Sequence, residues 1–118
     1  MKLAVLSDIH GNVPALEAVL EDIAAWGPDA VIMNGDLVSR GPRSLDGLEL
    51  LRRAFPGAYL LEGNHEEYVR EAVREEPPRD DPRWELSRFA RCTAGQLGDA
   101  VLEELAAWPD HLELPDLE

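Results

Sequence analysis

The sequence predicts an α/β fold: a parallel βαβαβ sheet followed by extra helices. Three observations predict it. Short apolar runs of β character alternate with segments whose apolar residues recur at helical spacing. Gly-Pro and Pro-Gly pairs punctuate the boundaries. Each apolar run ends abruptly in a cluster of Asp, Asn, His and Gly. With 118 residues, 45% of them apolar, the chain suits one domain with a core.

The elements follow in order. Lys2 to Ser7 is the first apolar run. Asn12 offers a helix cap and Pro14 fits a first turn. Leu16, Val19, Leu20, Ile23 and Ala24 then recur at helical spacing, with Glu17, Glu21 and Asp22 opposite, until Gly27-Pro28 stops the helix. Ala30 to Met33 reads as a second strand. Leu45, Leu48, Leu51 and Arg52 give a second helix, ending near Phe55-Pro56-Gly57, and Ala58 to Leu61 a third strand. Glu66 to Glu76 is a charged third helix. Residues 1–76 therefore form the expected βαβαβα core, and 77–82, rich in Pro and Asp, a polar break. Residues 83–118 hold two more helices, Trp84 to Thr93 and Asp99 to Trp108, and then His111-Leu112-Glu113-Leu114, which alternates like the start of a further strand.

Composition narrows the function. A net charge of −13 disfavours nucleic acid and anionic membranes as partners. No run reaches the ~18 apolar residues of a membrane span, and the N-terminus does not read as a signal peptide. Cys92 is the only cysteine, so no intramolecular disulfide forms, a cytoplasmic location is expected, and Cys92 itself is expected as a small buried residue.

The strand ends carry the chemistry. The first runs into Ser7-Asp8-Ile9-His10-Gly11-Asn12, the second into Asn34-Gly35-Asp36 and on to Gly41-Pro42, the third into Glu62-Gly63-Asn64-His65-Glu66. In a parallel sheet the carboxyl ends share one edge, where open α/β sheets bind ligands. Asp8, His10, Asp36, Asn64 and His65 should therefore converge. If residues 8–10 are extended, Asp8 and His10 point to the same side and can grip one ion. Carboxylates packed together repel, and a divalent cation removes that repulsion. Oxygen and imidazole donors without thiolate suit Mn²⁺, Fe, Zn²⁺ or Mg²⁺. Singly, each cluster also reads as a turn or a helix cap; three in order, each behind a strand, favour a metal site.

The stretches DIHG (8–11), GDLVSRGP (35–42) and GNHE (63–66) resemble the three N-terminal motifs of the calcineurin-like metallophosphoesterases. GDLVSRGPRSL followed by GNHEE is most similar to the branch of protein phosphatases and diadenosine tetraphosphatases. The resemblance implies a dinuclear site at the end of an α/β/β/α sandwich, of which this chain would supply the βαβαβ half. On that pattern Asp8 and His10 hold the first metal, Asp36 bridges both, and Asn64 holds the second. His65 is implied as the general acid and Arg40 as the phosphate-binding side chain. Two metals clamp the phosphoryl group and lower the pKa of the attacking water.

Two departures shape the expectation. Ser39 stands where protein phosphatases of this branch carry an Asp that orients the catalytic His, so His65 should be less basic or less well held. That tilts the reading towards nucleotide or small phosphate-ester substrates. The family's further His ligands, in Gly-His and Gly-x-His patterns, have no counterpart among the three histidines, and His111 is expected at the surface without a ligand role. The chain stops where the family's next strand would begin. The sequence thus predicts binding of one metal, little phosphatase activity alone, and an uncovered sheet face that pairs as a C₂ homodimer or with a missing C-terminal half. A catalytically inactive metal-binding or interaction module is the alternative reading, and an ordinary acidic α/β domain the third.

Overall fold

The structure, a computed structural model, describes residues 1–114. Its elements are β1 (Leu3–Leu6), α1 (Val13–Trp26), β2 (Ala30–Asn34), α2 (Ser44–Ala54), β3 (Tyr59–Leu61), α3 (Asn64–Ala72), α4 (Trp84–Leu97) and α5 (Asp99–Ala106). The strands form one parallel sheet in the order β1-β2-β3.

Local chemistry sets the boundaries. The Asn12 side chain accepts from the Ala15 N–H at 3.2 Å, and Gly27, at φ 67°, closes α1 with its N–H on the Ile23 carbonyl. Sequential parallel strands joined by right-handed crossovers place both crossover helices on one side of the sheet. The core follows: Ala4, Leu6, Val31 and Met33 face Leu16, Leu20 and Ile23 of α1 and Leu48 and Leu51 of α2. The later helices join the same core through Val69 and Ala72 of α3, Ala90, Ala94 and Leu97 of α4, and Leu105 of α5. Residues beyond the polar break are thus one body with the first 76, and an ion pair from Arg52 on α2 to Glu104 on α5 ties them further.

The opposite sheet face is exposed on its outer strands and buried at Ile32 in the middle. Val5, Ile32 and Tyr59 are in register across the three strands, and Val5 is 61% and Tyr59 44% exposed.

Several expectations need correction. α3 begins at Asn64 rather than Glu66 and ends at Ala72, so Asn64 and His65 occupy a helix's first turn rather than a loop. α4 continues to Leu97, four residues past Thr93. Residues 111–114 form no strand. The Glu62 N–H donates to the Pro109 carbonyl at 2.8 Å beside the end of β3, but no ladder follows it among the described residues. Cys92 is exposed, because the buried stripe of α4 runs through Ala90, Thr93, Ala94 and Leu97 and residue 92 lies off it. No described helix is long and apolar enough to cross a membrane.

Candidate metal centre

The three polar clusters meet at the carboxyl edge of the sheet. The first two are stitched together by backbone: the Asp8 N–H donates to the Gly35 carbonyl at 3.2 Å, His10 N–H to Asp36 at 3.0 Å and Gly11 N–H to Leu37 at 3.0 Å. The chain is not extended here, which corrects the simple same-side argument for Asp8 and His10. Asp8, His10 and Asp36 hold φ of 57°, 51° and 57°, and Ser39 and Arg40 hold 73° and 69°. Left-handed backbone is uncommon outside glycine and costs energy. Five such residues in two touching loops mark a rim whose shape the surrounding contacts dictate.

The side chains come together as follows. Donor atoms of His10, Asp36 and His65 lie within 4.8 Å of one another. The His10 and His65 rings meet edge-on at 4.7 Å, and Tyr68 backs His65 at 5.3 Å. Asp8 stands at the edge of this group, its carboxylate 3.7 Å from His10 Nε2 and its other oxygen accepting from the Ser7 hydroxyl. The Asn64 amide lies against the Asp36 carboxylate; with its nitrogen turned inward it donates at 3.2 and 2.9 Å. Turned the other way it presents its oxygen beside Asp36, the arrangement a cation between them requires. Arg40 is exposed on the loop after β2, near enough for its charge to oppose protonation of His65.

The donor set fits a divalent cation. It offers imidazole nitrogen, carboxylate oxygen and amide oxygen, the ligands of hard to borderline metals. His65 Nδ1 is buried with no partner among the described residues. The Ser39 hydroxyl is likewise buried with no partner among the described residues.

Burial pushes the His65 pKa below its ordinary value; Asp36 raises it in opposition, while His10 and Arg40 lower it further. Protons therefore bind His65 more weakly in the folded than in the unfolded chain. Stability from this group is whole above about pH 6.5 and falls as pH drops through that value. In the metal-free protein, NMR should place the His65 midpoint below about 6.5; a midpoint above it contradicts this electrostatic picture.

Sequence reasoning missed Glu66. Its side chain is 0% exposed, and its two carboxylate oxygens accept from the N–H groups of Asp36 (2.9 Å), Leu37 (2.7 Å), Val38 (3.2 Å) and Gly63 (3.0 Å). Asp36 returns the favour: its Oδ1 accepts the His65 N–H at 2.9 Å, capping α3 from another loop. The available signal was Gly63 followed three residues later by Glu66, half of a capping box. It was hidden by reading Glu66 as the first residue of a charged helix.

A parallel sheet with imidazole and carboxylate groups gathered at its carboxyl edge is an α/β scaffold carrying a candidate metal site. The family profile of the calcineurin-like phosphoesterases matches residues 1–106, and the chain belongs to that family. Over 63 residues, 52% of this chain, it is 40% identical to a symmetrical bis(5'-nucleosyl)-tetraphosphatase of Baumannia cicadellinicola subsp. Homalodisca coagulata. Over 68 residues, 56% of this chain, it is 37% identical to the enzyme of that name from Serratia proteamaculans. These matches span only 22% and 24% of the relatives' lengths. Among solved structures, a metallophosphoesterase from Sphaerobacter thermophilus superposes with a TM-score of 0.70 at 32% identity, covering 96% of this chain and 43% of the other. A hypothetical protein from Pyrococcus horikoshii OT3 shares the fold, with a TM-score of 0.71 at 22% identity over 92% of this chain and 48% of that one.

Proposed function

We propose that the chain carries the cation-binding and acid groups of a phosphoesterase acting on phosphomonoesters, phosphodiesters or dinucleotide polyphosphates. The observation that carries this reading is the gathering of His10, Asp36 and His65 within 4.8 Å at the sheet edge. The tetraphosphatase relatives support the polyphosphate end of the substrate range. Asp8 and His10 hold one cation, Asn64 a second, and Asp36 both. Divalent cations at these positions, Mn²⁺, Fe, Zn²⁺ or Mg²⁺, supply charge neutralisation and an activated water. His65, fixed between the His10 and Tyr68 rings, delivers a proton to the leaving oxygen. Arg40 offers its guanidinium to the phosphate oxygens.

A second reading is favoured by the ligand count. His111 is exposed beside Asp110 and joins no metal-capable group among the described residues, so the proposed ligands are Asp8, His10, Asp36 and Asn64 alone, few for two cations. The chain then binds one metal without turnover. Hydrolysis of bis-p-nitrophenyl phosphate, followed as Mn²⁺ is titrated, tests both. Metal-dependent release of nitrophenol supports the phosphoesterase; binding without release supports the inactive module; no binding overturns both.

A further inference from the structure

We propose that Glu66 is a positioning residue for the metal site: it fixes the Asp36 loop in its binding geometry before any cation arrives. The proposal rests on the metal-site reading above and adds a residue that the reading does not use. Glu66 projects from the first turn of α3 into the interior and reaches a loop nearly thirty positions earlier in the chain. Its Oε1 accepts from Leu37 and Val38, its Oε2 from Asp36 and Gly63. Leu37 and Val38 are fully buried, so water cannot replace those bonds. The bond to Asp36 falls on the N–H of the residue held at φ 57°, whose carboxylate would bridge the cations.

The arrangement is reciprocal. Asp36 caps the helix that carries Asn64 and His65, and Glu66 of that helix binds the backbone that carries Asp36. Moving either end misplaces candidate groups on both loops. A carboxylate is the side chain suited to this position, because each of its oxygens accepts two bonds and neither donates. In glutamine one end of the side chain becomes a donor and faces two N–H groups.

Two measurements test the role. The first uses the wild-type, metal-free chain. Amide exchange at Asp36, Leu37 and Val38 should be as slow as in β2 and change less than about threefold on adding Mn²⁺. If those amides exchange at loop rates until Mn²⁺ is present, the cation orders the loop and the proposal is overturned.

The second compares Mn²⁺ affinity in wild type and Glu66→Gln by calorimetry, with near-UV circular dichroism to establish that the variant is folded. Affinity should fall about 10–100-fold, the range found when groups that orient metal ligands are removed. A folded variant that melts earlier yet binds Mn²⁺ as tightly as wild type shows a merely structural role and overturns the proposal. If Glu66→Gln does not fold, the exchange measurement decides. Wild type that binds no Mn²⁺ removes the metal-site reading and the proposal with it, a result distinct from equal binding by both proteins.

Discussion

Asp36→Asn should remove most of the metal-induced stabilisation of this chain while leaving its fold intact. The substitution separates two duties of one side chain. Asp36 Oδ1 accepts the His65 N–H and so caps α3. Asparagine keeps an oxygen at that position and preserves the cap. What it loses is the negative charge and the second carboxylate oxygen, the features a bridging ligand needs. With Mn²⁺ about 100-fold above its dissociation constant, binding to wild type adds about 2.7 kcal/mol. For a chain of this size that raises the melting temperature by about 10 °C. If the substitution weakens binding about 100-fold, the same Mn²⁺ concentration adds only about 0.4 kcal/mol, a rise of a degree or two. Thermal melts of both proteins with and without Mn²⁺ read this directly. An Asn variant that is stabilised as much as wild type would remove Asp36 from the ligand set.

The sequence displayed the strands and the order of the polar clusters because both signals are local. β1, β2 and β3 are short apolar runs bounded by Gly, Pro and Asn, and each lies within a residue or two of its expected place. Convergence of Asp8, His10, Asp36, Asn64 and His65 followed from topology alone, since parallel strands share a carboxyl edge. What the sequence hid depends on contacts between distant segments. The left-handed backbone at Asp8 and His10 exists because their N–H groups pair with Gly35 and Asp36 carbonyls on another loop. Glu66 looked like one more acid on a polar helix; only the approach of residues 36–38 makes it a buried acceptor of four N–H groups. The strand expected at 111–114 failed for a related reason: alternation of apolar residues specifies a strand only where an edge pairs along its length. Cys92 was misplaced because a residue's average preference for burial said nothing about its phase on α4.

The approach of those loops predicts the second large effect, at Gly63. Its φ of −97° and ψ of 179° suit any residue, so its importance is steric and not conformational. A Cβ there would strike Asp36 Oδ1 and lie 2.6 Å from the Asp36 backbone nitrogen and 3.0 Å from its Cγ. Gly35 faces it from the other side: a Cβ on Gly35 would lie 2.8 Å from Gly63 Cα. Two loops thus touch backbone to backbone, and neither can yield without moving Asp36 or the start of α3. Gly63→Ala should cost about 3 kcal/mol, the upper part of the usual range for overpacking, because the obstacle is main chain and not a flexible side chain. That lowers the melting temperature by roughly 10 °C. It should also weaken Mn²⁺ binding, since the displaced groups are Asp36, Asn64 and His65 together. Gly57→Ala is the matched control: a Cβ at Gly57 meets nothing within 4 Å, and its effect should stay within about 0.5 kcal/mol. If the two alanine variants melt together and bind Mn²⁺ equally, the close approach of the second and third clusters is not what shapes the site.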